Sequence, residues 1–206
     1  EAINEVIAVR FGILFGAGEV ETMADVGQSV VDSSEIINTL ASGGISTVGY
    51  AAESIEEPSK GLLSRFGRSQ ADDDSVSSIN RITSLVRKAA LGRLTLPCEI
   101  DTTERALLVV AGPSHVLDRK GIERSRRWIE EETGSMEVRG GDYPVDDSRK
   151  VAAVVLLSGV TDVPRIKELQ GTAVEAQSTM KRSRSDRERA LEELIADEND
   201  ELEPLF

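Results

Sequence analysis

Between residues 45 and 159 the chain alternates short runs of β-branched and aliphatic residues with longer stretches of helical periodicity. Ile45–Ala52 reads as a strand. Val76–Leu91 reads as an amphipathic helix, because Val76, Ile79, Ile82, Leu85, Val86 and Ala89 recur every three or four residues. Arg105–Ala111 has the unbroken apolar character of a buried strand and stops at Gly112-Pro113. A helix over about 118–133 carries Ile122, Trp128 and Ile129, a short strand covers 136–139, and Gly140–Ser148 reads as a turn region. Lys150–Gly159 is a further apolar strand, and a last helix spans roughly 163–177. Neither a strand nor an amphipathic helix can bury its apolar face alone, so the order of elements predicts an α+β domain. Its four-stranded sheet should be mostly antiparallel or mixed, with helices packed on one face.

Upstream, Ile3–Phe15 predicts a core helix with little polar surface, ended by Gly16-Ala17-Gly18, and residues 16–32 read as a loop. A short helix over 33–42 follows, closed by Gly43-Gly44 as a left-handed stop. Ser33 or Ser34 is placed to cap it. Asp32 and Glu35, three residues apart at its start, are then expected at the same solvent-facing end. Taken alone, such acids do no more than complement a helix dipole.

The chain carries 37 acidic and 24 basic residues, a net charge of −13, and only 6 of the basic residues are Lys. A field of that sign repels nucleic acid and anionic membrane surfaces. Acidity with Arg favoured over Lys suits solubility in concentrated salt, where screening relieves self-repulsion, although an ordinary acidic protein shows the same balance. One cysteine, Cys98, excludes an internal disulfide and reads as a small buried hydrophobe. One histidine, His115, excludes two-histidine metal motifs, and its place in Gly112-Pro113-Ser114-His115 suits a turn. Asp72-Asp73-Asp74 lacks the spacing of a calcium loop, so no metal site is expected. Trp128, with apolar neighbours at helical spacing, reads as core or partly buried surface rather than a stacking platform. Gly16-Ala17-Gly18, Gly43-Gly44 and Gly140-Gly141 lack the strand-to-helix setting of a phosphate cradle. No long apolar run or signal segment is present, so a cytoplasmic protein without membrane insertion is expected.

Two stretches stand apart. Residues 53–75 turn abruptly to charges, Ser and Gly around Leu62, Leu63 and Phe66, which predicts a long surface excursion. Its apolar residues either cover the home domain or meet a neighbour. Residues 178–206 run from basic to acidic and end in Leu202-Glu203-Pro204-Leu205-Phe206, the pattern of a charged, flexible tail.

The order of core helix, polar loop, acidic helix start and Gly-Gly break resembles the tubulin/FtsZ superfamily. Val31–Leu40, Gly44-Ile45-Ser46-Thr47-Val48-Gly49-Tyr50-Ala51 and Arg105–Pro113 look like its archaeal CetZ branch, tubulin-like proteins linked to cell shape. The resemblance covers about residues 1–177. It implies a long central helix and acidic loop over 1–44, a tubulin/FtsZ-like C-terminal domain over 45–177, and a tail over 178–206. It also implies that a nucleotide-binding half precedes Glu1 and holds GTP or GDP, with magnesium, so that this segment by itself is inactive. By the same resemblance Asn4 contacts the guanine, while Glu35 activates the attacking water on the adjacent subunit's GTP and Asp32 supports it. The implied partners are further copies of the chain in a filament, a lateral neighbour through 53–75, and proteins recruited by the tail, at the inner envelope or elsewhere in the cytoplasm. One departure is Val30, where FtsZ has an Asn before the first acid. A non-catalytic acidic α+β interaction module is the alternative reading.

Overall fold

A computed structural model describes residues 2–19, 31–55 and 70–200. The chain divides into two compact units, residues 1–163 and 164–206.

The first unit holds α1 (Ala2–Gly18), α2 (Ser33–Leu40), β1 (Ile45–Ser54), α3 (Gln70–Leu91), β2 (Arg105–Gly112), α4 (Arg119–Thr133), β3 (Glu137–Pro144) and β4 (Lys150–Val160). The sheet order is β1-β4-β2-β3. β4 pairs antiparallel with both β1 and β2, whereas β2 and β3 run parallel. A parallel pair needs a crossover, and α4 supplies it. The sheet is thus mixed, as expected.

Helices cover both faces, not one. Every residue of β4 after Lys150, and of β2 after Arg105, is buried. Alternate side chains of a strand point to opposite faces, so such strands must be covered twice. On one face Leu107 and Val109 of β2, Val154 and Leu156 of β4, and Val48 of β1 meet Leu14 and Ala17 of α1, Ile36 of α2, and Val31 just before α2. On the other, α3 lies against β1 and β4, and α4 against β3. Ile82, Leu85, Val86 and Ala89 of α3 are fully buried there. Each fully buried Leu, Ile or Val contributes about 1.5–3 kcal/mol, which makes this double-sided core the main stabilising feature. Gly49 faces α3, where any Cβ would collide with the Ala89 carbonyl.

Several elements exceed their predicted bounds. The apparent turn at Gly140-Gly141 is strand, because β3 stays paired with β2 from Arg105↔Glu137 to Gly112↔Pro144. Glycine allows a close approach here: a Cβ on Gly140 would stand 3.1 Å from the Leu108 Cβ and 3.2 Å from the Arg126 Cγ. α3 starts at Gln70, before its apolar periodicity begins, and β1 reaches Ser54, so both enter the predicted excursion over 53–75. Leu62, Leu63 and Phe66 lie outside the described residues. Gly43 and Gly44 have φ of 74° and 67°, the left-handed conformation expected of a helix stop.

α1 is not a core helix all round. Arg10, Leu14 and Ala17 are buried, but Ile3, Val6, Ile7, Val9 and Phe15 remain 39–75% exposed. Its apolar surface is wider than the sheet can cover.

The second unit is α5, one helix from Pro164 to Asp200. The sequence reading ended it near Gln177 and left the rest mobile. No Gly or Pro falls between Gly171 and Asp200, and Arg184–Glu188 (2.8 Å) and Arg189–Asp186 (2.9 Å) pair on the helix surface. Such neighbours support a helix that has little packing. Among the described residues no helix is long and apolar enough to cross a membrane.

Candidate functional site

α2 is short, so its orientation depends on its ends. Asp32 is the N-cap, with extended backbone at φ −106° and ψ 169°. Its Oδ1 accepts from the Glu35 N–H at 2.8 Å and from the Ser34 hydroxyl at 2.5 Å. The cap is therefore Asp32, and neither Ser33 nor Ser34; aspartate matches serine in this role because its oxygen also reaches the third residue's N–H. The hydrogen bond from the Ser34 hydroxyl, then that from the Glu35 N–H, holds the exposed Asp32 carboxyl below the ordinary carboxylate range. Both bonds use Oδ1.

Glu35, one turn on, is not bound by its own helix. Its Oε1 meets Arg139 Nη1 of β3 at 3.4 Å. The two acids do share the open end of α2, as expected, but the forces that hold them differ. Glu35, with Arg126, Glu130, Glu137, Arg139 and Gly140, lines a shallow open recess. Its other acids have partners: Arg105 meets Glu137 at 2.6 Å and Arg126 meets Glu130 at 3.9 Å. At the far end of α2, Arg105 Nη1 donates to the Asn38 carbonyl at 2.6 Å. Arg105 and Arg139, both strand residues, were not singled out by sequence. The available signal was their spacing from Leu107 and Val138, which places charged side chains on a pleated face.

Asn4 lies in the first turn of α1, exposed and away from the acids. The other end of α1 meets α2: a Cβ on Gly18 would lie 2.8 Å from the Ile36 Cδ1 and 3.4 Å from Ser33. Fourteen residues separate Asn4 from Gly18, or about 21 Å of helix axis at a rise of 1.5 Å per residue. The structure brings Asp32 and Glu35 together and leaves Asn4 at the opposite end of the helix.

Other residues have structural settings. His115 is exposed in a short turn, where the Ser114 N–H and hydroxyl donate to Asp146 Oδ1 at 2.9 and 2.7 Å. Trp128 is buried, donates to Glu132 at 3.1 Å, and has the Arg87 guanidinium 5.3 Å from its ring centre. Cys98 is half-buried, and burial followed by the charge of Glu99 pushes its thiol up. Among the described residues no group of three or more His, Cys, Asp or Glu could hold a metal ion.

The profile of the family described as "Tubulin-like CetZ, C-terminal domain" matches residues 1–175. The chain belongs to the CetZ family. It is 59% identical over 206 residues to tubulin-like protein CetZ3 of Haloferax volcanii, covering 100% of the chain and 53% of that protein. It is 66% identical over 191 residues to CetZ1 of the same organism, covering 89% and 48%. Among solved structures, the GDP-bound CetZ1 monomer from Haloferax volcanii is similar at a TM-score of 0.67 and 61% identity, over 85% of this chain and 44% of that one. The GTPγS-bound CetZ2 protofilament from that organism is similar at 0.69 and 40% identity, over 87% and 46%. The chain thus spans about half the length of the relatives it matches.

Proposed function

We propose that the protein to which this CetZ C-terminal domain belongs is a filament-forming GTPase, and that Asp32 and Glu35 complete hydrolysis on the GTP of the next subunit. The observation that carries the reading is the separation along α1. Asn4, whose amide offers both a donor and an acceptor to a purine edge, stands about 21 Å of helix axis from the end that seats the acids. A residue that reads its own subunit's guanine and acids that act on phosphates, set at opposite ends of α1, fit phosphates that belong to another copy. Repeating that heterologous contact generates a filament. The similarity to a GTPγS-bound protofilament of CetZ2 supports the same arrangement. So does the exposed apolar side of α1, with Ile3, Val6 and Ile7, which fits burial against a preceding nucleotide-binding half.

Hydrolysis requires a water aligned with the γ-phosphate and an acceptor for its proton. Glu35 polarises that water. Asp32 orders it through Oδ2 while Oδ1 maintains the helix cap. The magnesium and phosphate contacts belong to the nucleotide-binding half, so residues 1–206 alone neither bind nor hydrolyse GTP. In the cell the filament works in the cytoplasm on cell shape. It reaches neighbouring filaments through 53–75 and recruits partners through the tail over 178–206, and those partners take it to the inner envelope.

The test is Glu35→Ala in the complete protein. Turnover should fall by about 10² to 10⁴, the usual worth of positioned acid–base assistance, with filaments still visible by microscopy. Unchanged turnover in assembled filaments would remove the catalytic assignment.

A further inference from the structure

We propose that Arg139 is the positioning residue for Glu35, the side chain by which the sheet fixes the water-polarising carboxylate at the open end of α2. The proposal rests on the split-site reading above. Arg139 stands opposite Leu107 in the β2–β3 register, and Leu107 faces the α1–α2 layer. Strand alternation therefore turns the guanidinium toward α2, where Nη1 lies 3.4 Å from Glu35 Oε1.

The two ends of α2 are held unequally. At its C-terminal end, Arg105 binds the Asn38 carbonyl, and Ser42 Oγ lies 3.2 Å from the Thr39 carbonyl and 2.9 Å from the Oγ of the fully buried Ser158. Ser158 Oγ in turn meets Ser46 Oγ at 2.8 Å, so a chain of hydroxyls ties that end to β1 and β4. At the opening turn, among the described residues, the polar tie to the sheet is Arg139–Glu35. Asp32 is bound first by its own helix, through the Ser34 hydroxyl and the Glu35 N–H, and the Arg139 charge acts on it less strongly. Glu35 has three rotatable side-chain bonds and no bond from its side chain to α2.

An exposed ion pair of this kind adds little to folding, because the pair is half open to water at 46% and 26% exposure. Its consequence is geometric. Without the guanidinium the carboxylate samples other rotamers, and a displacement of about 1 Å at a reacting group can cost as much as about 10²-fold in rate. Lysine keeps the charge but loses the planar fork, so it should restore the position only in part.

The experiment uses the complete protein with Arg139→Ala, Arg139→Lys, Glu35→Ala and the Glu35→Ala/Arg139→Ala double variant. GTP turnover per assembled subunit, KM, pelleting and melting temperature are measured for each. Arg139→Ala should lower kcat by roughly 10- to 100-fold with KM, assembly and melting temperature unchanged. Arg139→Lys should recover much of that loss, and the double variant should match Glu35→Ala alone. If Glu35→Ala leaves turnover intact, the split-site reading falls and this proposal falls with it. If Glu35→Ala is slow but Arg139→Ala is normal, or if Arg139→Ala slows the Glu35→Ala protein by its full factor again, the positioning role alone is overturned.

Discussion

Leu107 and Leu108 are adjacent on β2, equally buried and opposite in direction, and truncating each should separate stability from catalysis. Leu107 packs under α1 and α2 with Leu14, Val31 and Ile36, whereas Leu108 lies against Gly140 on the α3–α4 side. Either Leu→Ala change removes three buried carbons and leaves a cavity, which costs about 2–5 kcal/mol. In a unit of 163 residues, at roughly 2–4 °C per kcal/mol, each variant should melt about 4–20 °C lower. The functional effects should differ. Leu107→Ala loosens the seat of Ile36, and with it the turn that carries Asp32 and Glu35, so turnover in filaments should fall well below wild type at temperatures where both variants are folded. Leu108→Ala should keep near-normal turnover at the same temperature. The assay is circular-dichroism melting paired with phosphate release from pelleted filaments of the complete protein. Equal loss of turnover in both variants, at matched distance below their melting points, would refute the idea that the α1–α2 layer transmits packing to the site.

Acidification tests the Asp32 cap. Its folded pKa is depressed by Ser34 and the Glu35 N–H, so its contribution is present above the ordinary aspartate value of about 3.9 and is lost as pH falls through the lower folded value. Asp32→Asn, which retains a capping oxygen without titrating, should remove that part of the pH dependence of unfolding below pH ~4; identical acid limbs for both proteins would count against the cap assignment. Gly49→Ala should cost about 1–3 kcal/mol or more by pushing α3 off β1, read from urea unfolding, and an unchanged midpoint would mean that the helix is not seated so closely.

The local half of the site was legible in the residue pattern, and the long-range half was not. Asp32 binds groups two and three residues away, contacts that follow from helix-start chemistry once aspartate is weighed equally with serine as a cap. Arg139 binds Glu35 across 104 residues and Arg105 binds Asn38 across 67, so both contacts depend on the strand order β1-β4-β2-β3, which periodicity does not encode. The same division runs through the fold. α3, α4 and the apolar strands were readable because period and burial coincide in them. Gly140-Gly141 was misread because glycine marks a turn by local preference and a close approach by packing, and only the Leu108 and Arg126 side chains decide between them. The double covering of the sheet was encoded in the unbroken apolar runs of β2 and β4, since a strand with one wet face would alternate. Two acids that look equivalent in sequence therefore differ in kind. Asp32 is fixed to its own helix and moves only as α2 moves, whereas Glu35 depends on β3 as well for its place.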